Sequence, residues 1–213
     1  MSKIKILVEG IADAKFLQDL INEWYTYPLG IASLGKLGDI IHLDGKDAFD
    51  SANKLEKLSI LFEQADFLGI PVIVIFDADH YPDNHLLFSS HSQTHGFTFF
   101  LLPNNEADGD LETLLQTIIH PENQIIFDCW QAYESCLNGK KTAMTETGLF
   151  TLPARKTKIY AYLEALVGES GTEKEKIKER QRDYRNENHW NLDPTYPTLK
   201  PLKEFLDPFF SIQ

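Results

Sequence analysis

Cysteine is nearly absent: the 213 residues hold only Cys129 and Cys136, seven positions apart in a stretch that reads as helix. With no C-x-x-C pair, the spacing favours a reduced, cytoplasmic setting over a disulfide framework or a zinc ribbon. No apolar run is long enough for a membrane-crossing helix. The opening MSKIKILVEG turns from basic to apolar for only a few residues before Glu9, so it reads as a first strand and not as a cleavable signal. There is no internal repeat and no low-complexity tract. Positive charge is scarce: 20 Lys and Arg stand against 32 Asp and Glu, a net charge of −12. That balance argues against a protein that coats nucleic acid by bulk electrostatics. The length suffices for one large domain, or one domain with an extension, around a proper core.

The charge is unevenly spread. Residues 1–112 carry 18 acids and 7 lysines with no arginine, whereas residues 113–213 carry 14 acids and 13 bases. Residues 140–158 run against the trend, with Lys140, Lys141, Arg155, Lys156 and Lys158 against Glu146 alone. A local excess of that size reaches a phosphate backbone if it folds beside an acidic site.

The acidic half is organised around PVIVIFDADHYPDN, residues 71–84. Five consecutive apolar residues, 72–76, fit a strand buried on both faces in a parallel sheet. Asp77 and Asp79 follow it, two residues apart, so they leave on one face if the strand persists and converge if it turns. Two readings stand. One is a divalent-cation site at the carboxyl end of a buried parallel strand, where open α/β sheets bind ligands. The other is an Asx-rich turn, since Asp79, His80, Pro82, Asp83 and Asn84 all favour turns.

Along the chain, residues 3–8 predict a first strand and residues 12–25 a helix with one buried stripe, Ala12, Phe16, Leu17, Leu20, Ile21 and Trp24. Between them Glu9 closes the strand, Gly10 permits a sharp exit, and Asp13 falls in the first helical turn. Dipole complementarity of ~0.3–1 kcal/mol accounts for Asp13 by itself but gives Glu9 no structural reason. Residues 29–37 are glycine-punctuated and read as irregular, residues 40–43 as a short strand. Asp47 caps a helix running to about 68, and Gly69-Ile70-Pro71 stops it. The order β-α-β-α-β predicts a parallel sheet with right-handed crossovers. Residues 81–96 read as a polar loop, in which His91 and His95 have metal-sharing spacing on a stretch too rich in Ser and Thr for a good helix. Residues 97–102 form a fourth strand, followed by Glu106, Asp108, Asp110 and Glu112, the last two on the first turn of a helix. Helix-start acids account for one of these, not for four. Helices follow over 121–138 and 158–167, the charged stretch 172–188 reads as a solvated helix, and the Phe-rich tail as a docking segment.

With Glu9-Gly10 after the first strand and Asp77-x-Asp79 after a later buried one, the chain resembles the TOPRIM fold of topoisomerases, primases and overcoming-lysogenization-defect (OLD) nucleases. Asp110-Leu-Glu112 looks like the additional acidic site of the OLD-type branch. Through Pro103, Asp110-Leu-Glu112, Lys158, Tyr160, Trp190 and the Pro-Leu-x-x-Phe-Leu tail, it is similar to a family of stand-alone TOPRIM-like proteins without a characterised function. The resemblance implies a Rossmann-like parallel sheet of about four strands flanked by helices over residues 1–120, with a helical extension, 121–213, packed on the same core. The chain departs from the usual pattern where Asp79 is followed by His80, Tyr81 and Pro82 instead of two residues and a glycine. No strand-passing tyrosine domain and no primase zinc module is visible, which speaks against topoisomerase or primase activity.

The resemblance further implies that Glu9, Asp77 and Asp79 hold Mg²⁺ or Mn²⁺ against a scissile phosphate, with Asp110 or Glu112 completing a second metal position; Asp13 is a further candidate metal ligand. Lys156 or Lys158 is the expected transition-state cation, by analogy. The expected activity is a metal-dependent nuclease, with a separately encoded ATPase as a partner where the module is split from its motor. Two rivals stand beside it. A haloacid-dehalogenase-type phosphatase also opens with a hydrophobic strand and Asp-x-Asp, but that motif wants Thr or Val where Tyr81 stands. The other rival is a catalytically idle scaffold that binds metal or a protein partner.

Overall fold

A computed structural model describes residues 4–210. The chain runs β1 (Lys5–Val8), α1 (Ile11–Tyr25), β2 (Ile31–Ser33), β3 (Ile40–His42), α2 (Ala52–Phe67), β4 (Val72–Asp77), α3 (Tyr81–His95), β5 (Thr98–Leu102) and α4 (Leu111–Thr117). It continues through α5 (Gln124–Leu137), α6 (Arg155–Leu166), the short α7 (Gly171–Glu175) and α8 (Lys200–Phe210). The five strands form one sheet in the order β2-β3-β1-β4-β5, and every pairing is parallel. The fold is α/β and Rossmann-like, with a helical C-terminal part.

Alternation along the strands divides the core into two layers. Ile6 and Val8 of β1, Ile73 and Ile75 of β4, and Phe100 and Leu102 of β5 face α1 and the C-terminal helices. Leu7, Val74, Phe76 and Leu101 face the other way, onto Leu58, Phe62 and Ala65 of α2 and Phe88 of α3. Both faces are covered, which is why the strands read as unbroken apolar runs.

The helices after residue 121 share the first of these layers: Phe127, Ile159, Tyr162, Leu163, Leu202 and Leu206 are buried in it. Hydrogen bonds also tie the late chain to α1, among them one from Tyr25 Oη–H to Asp207 at 3.0 Å. Trp24 Nε1–H donates to the Leu192 carbonyl at 2.7 Å, and Tyr184 N–H donates to Asp19 at 2.9 Å.

The structure differs from the sequence reading in several places. The described residues form five strands instead of about four, because β2 lies in the glycine-punctuated stretch read as irregular. Residues 34–39 alone link the parallel pair β2 and β3. So short a link suffices because each strand has three residues, so the chain climbs back only ~10 Å. Residues 81–95 are helix, not loop. Pro82 sits in its first turn, where a missing N–H costs nothing, and Ser89 and Thr94 bond back to the His85 and Ser90 carbonyls, removing their competition with the helix. Asp47 does not cap α2: it lies in a 3₁₀ turn, Lys46–Phe49, and pairs with Lys54 at 2.6 Å. Finally, residues 172–188 are not a solvated helix, since only α7 and a 3₁₀ turn form there and both Arg182 and Tyr184 are buried. Lys3, assigned to the first strand, lies outside the described residues.

Candidate functional site

After β1 the chain builds the sheet toward β3 and β2, then crosses back to add β4 and β5 on the other side. The boundary between β1 and β4 is therefore the topological switch point, where the ends of the crossovers part and leave a crevice at the carboxyl ends of the strands. Val8 pairs with Ile75 in register. Continued by one residue, this sets Glu9 level with Phe76, one short of Asp77.

Each remaining acid is fixed by local structure. Asp13 reaches back to accept the Gly10 N–H at 2.8 Å and is buried. Gly10 itself is extended (φ −136°), so its conformation does not require glycine. Proximity favours one, as a Cβ there would lie 3.3 Å from Asp13 Oδ2. The strand ends at Asp77, and Asp79 turns into the left-handed region at φ 47°, which Asp tolerates better than most residues. Backbone bonds with Gly109 hold it there, Asp79 N–H donating at 2.7 Å and Gly109 N–H returning at 3.2 Å. Gly109, at φ 146°, admits no side chain, since a Cβ would meet Pro103 and Thr113 at 3.0 Å.

The four acids of residues 106–112 divide by task. Asp108 accepts the Tyr81 N–H at 2.8 Å, at the start of α3. Asp110 is not within the first turn of α4 but is its N-cap, accepting the Thr113 N–H at 2.8 Å while its other oxygen takes Arg155 at 3.0 Å. Glu112 is half-buried and turns toward the crevice.

Two cavities meet at the switch point, and Glu9 and Asp77 line both. One, of about 410 Å³, is bounded also by Asp13, Asp110, Glu112, Arg155 and Lys156. The other, of about 360 Å³, is lined also by Asp79, Lys46, Asp47 and Asp50 and by the aromatic side chains of Phe49, Phe76, Phe88 and His91. All six predicted carboxylates are thus assembled from three separate segments, residues 9–13, 77–79 and 110–112.

Crowding shows in their proton affinities. Burial, then the charges of Asp13 and Glu9, push Asp77 up to about 9, against which the Leu111 N–H at 2.9 Å acts only partly. Asp13 is pushed to about 7, chiefly by burial, with the Gly10 N–H opposing. Glu9 and Glu112 are raised as well, each first by burial and then by neighbouring acids. The cluster is short of positive charge in its interior.

The cations present sit at its rim. Lys46 pairs with Asp79 at 3.0 Å and Arg155 with Asp110 at 3.0 Å, while Lys156 is engaged with Glu179. Lys158 lines neither cavity: it donates to Gln116 at 2.9 Å and lies 4.5 Å from the centre of the Phe127 ring. His91 and His95 do not make a metal pair either, being stacked on Phe49 and Phe62.

Sequence reasoning missed Lys46, although its place just after Asp44-Gly45 at a strand's end was a usable signal. It also missed Arg182, which is 1% exposed and packs its guanidinium 4.6 Å from the Tyr160 ring. Arg182 Nη2 has no partner among the described residues, and the charge lowers the proton affinity of Glu112. No local pattern separates it from the exposed charges around it.

The donor set is oxygen throughout, the chemistry of a hard divalent cation. Among the described residues no three Asp, Glu, His or Cys side chains form a ready-made ion cage. Mg²⁺ does not need one, since it keeps several waters and is held by one or two carboxylates plus substrate phosphate. Among the described residues no helix is long and apolar enough to cross a membrane.

No curated protein and no solved structure is matched by the sequence. A family model described as "Protein of unknown function (DUF3226)" matches residues 3–211, nearly the whole chain, and the chain belongs to that family.

Proposed function

We propose that the chain is a Mg²⁺- or Mn²⁺-dependent phosphodiesterase, a nuclease acting on nucleic acid through a TOPRIM-like carboxylate site. The observation that supports this reading is the meeting of six carboxylates at the switch point, with Asp77 driven toward its neutral form by burial and then by the charges of Asp13 and Glu9. Glu9 and Asp77 are the shared holders of a cation, Asp79 its partner on one side, and Asp110, Glu112 and Asp13 the acids on the other. When bound, divalent cations supply an activated water and stabilise the leaving oxygen. Lys46, Arg155 and Lys156 at the rim attract and orient a phosphate backbone that the acids alone would repel. Lys156 is better placed than Lys158 for that contact, and Lys158 holds α4 to α6 through Gln116. A cytoplasmic location and a separately encoded ATPase partner belong to the same reading.

The second reading, an idle scaffold, is favoured by the ion pairs Lys46–Asp79 and Arg155–Asp110, which already occupy two of the six acids. One experiment separates the two. The purified protein is incubated with single-stranded DNA, supercoiled DNA and RNA in Mg²⁺ or Mn²⁺, beside an Asp77→Ala, Asp79→Ala double variant. Cutting that needs metal and disappears in the variant supports the nuclease. Metal binding by calorimetry without cutting points to a missing partner or a different phosphate ester, and the absence of both cutting and metal binding supports the scaffold.

A further inference from the structure

The chain between α5 and α6 forms an arm that adds nothing to the core: from 128 to 158 no residue is buried. The arm is held by its own backbone. Thr142 N–H donates to the Gly148 carbonyl at 3.0 Å and Phe150 N–H to the Lys140 carbonyl at 3.1 Å, with Lys141 and Leu149 bridged antiparallel between them. Opposed residues of an antiparallel pair share a face, so Lys141 stands beside Leu149 on one side and Lys140 beside Phe150 on the other. Both lysines are exposed, and among the described residues neither belongs to an ion pair, whereas Arg155 and Lys156 each do. Four large apolar side chains lie open to solvent within nine residues: Met144 is 90% exposed, Phe150 46%, and Leu149 and Leu152 only a little less. Apolar surface gathered in this way marks a site of interaction.

The charge and the position of the arm select the partner. In a chain of net charge −12, residues 140–156 hold Lys140, Lys141, Arg155 and Lys156 against Glu146 alone. Ala154, Arg155 and Lys156 follow the arm directly and line the 410 Å³ cavity together with Glu9, Asp77 and Glu112. Four residues separate Phe150 from Ala154, so their Cα atoms are at most ~14 Å apart. A duplex would meet the lysines through its phosphates and leave the apolar side chains in water, because its base faces are stacked inside it. A strand with unpaired bases offers phosphates to the lysines and base faces to Phe150 and its neighbours. Resting on the phosphodiesterase reading, we infer that residues 139–153 are a docking arm for single-stranded nucleic acid, which leads the strand past Arg155 and Lys156 to the carboxylates.

Binding to the full-length protein is read by fluorescence anisotropy in EDTA and in Ca²⁺, with labelled 15-nucleotide thymidine and uridine strands and a 15-base-pair duplex as probes. At least one single strand should bind more tightly than the duplex. Phe150→Ala should weaken single-strand binding by roughly 5- to 150-fold and leave its salt dependence unchanged, as the loss of one stacking contact does. Lys140→Gln together with Lys141→Gln should instead flatten the slope of log affinity against log salt by about 1.4, the share of two phosphate contacts on a single strand. All three positions are exposed, and circular dichroism checks that the variants fold. A duplex bound as tightly as either strand, or variants that bind as the native protein does, overturns the arm. Binding of neither strand overturns it too and leaves the apolar surface to a protein partner. Cleavage in Mg²⁺ separates this failure from that of the underlying reading. Native cutting that persists undiminished in the variants sinks the arm and keeps the phosphodiesterase. Strand binding that is lost in the variants, without cutting by the native protein, upholds the arm and counts against the phosphodiesterase alone.

Discussion

Replacing Asp77 by asparagine should stabilise the metal-free protein at neutral and alkaline pH. The carboxyl titrates near 3.8 when exposed and at about 9 in the folded chain, raised by burial and then by Asp13 and Glu9. The folded state therefore keeps a proton that the unfolded chain releases. The stability linked to that proton is present in full below about pH 4 and is lost progressively as pH rises toward 9, with a slope of up to about 1.4 kcal/mol per pH unit. Asp13, Glu9 and Glu112 are shifted in the same direction, and acids sharing one field release their protons as a set. Asparagine preserves the volume and the acceptor for the Leu111 N–H but has no proton to lose. Between pH 5 and 8 the native protein in EDTA should lose up to about 4 kcal/mol on account of Asp77, and Asp77→Asn should escape that share.

Mg²⁺ reverses the comparison. At a hundredfold excess over its dissociation constant, a cation that binds only the folded state adds about 2.7 kcal/mol. The native protein should gain this and the variant little of it. Urea titrations of both proteins at pH 5, 6, 7 and 8, with EDTA or Mg²⁺, measure every quantity involved. Native stability that is flat over this range in EDTA would refute the electrostatic argument. Equal stabilisation of Asp77→Asn by Mg²⁺ would refute its assignment as a cation holder.

Glu9→Gln should raise the melting temperature of the metal-free protein at neutral pH, in the same direction as Asp77→Asn, and reduce metal-dependent cleavage by about 10²–10³-fold, the scale for losing one charge-stabilising group; undiminished cutting in a gel assay would remove Glu9 from the site. Arg155→Gln should change stability by no more than about 1 kcal/mol, as for other exposed ion pairs, yet tighten Mg²⁺ binding by freeing Asp110, which calorimetry would show. Arg182→Met should fill the same space without the charge, raise the proton affinity of Glu112 further, and shift the pH at which Mg²⁺ half-saturates the protein upward; an unmoved midpoint would assign Arg182 to packing alone. Leu206→Ala should cost about 2–5 kcal/mol in urea denaturation, because Leu206 is fully buried in the layer that α8 shares with the sheet.

The parts of this molecule that sequence could carry are those fixed by short-range pattern. Buried parallel strands read as unbroken apolar runs, and the residues that close them, Glu9 and Asp77, are placed by the strand itself. That Asp79 follows the same strand and Asp110 stands at the start of the next helix was legible as well, although the left-handed turn at one and the helix cap at the other were not. What failed to show were features decided by distant contacts. The polar stretch 81–95 lacks a strong apolar stripe, and it is helix because Phe88 finds Phe49, Phe76 and Phe99 across the second layer. β2 exists because β3 offers it an edge.

The cations follow the same logic with a functional consequence. Lys46, Arg155 and Lys156 reach the acids from loops and helix starts distant in sequence, and Arg182 is buried by the docking of a segment whose charge pattern is that of a solvated surface. An acid at a strand end is held by its own strand, whereas the charge that balances it is set by whichever segment packs against the crevice. The identity of the site is therefore written locally, and its electrostatic tuning is written in the C-terminal part. Substitutions in residues 155–184 should shift the pH and metal dependence of the site while leaving the sheet that carries it intact.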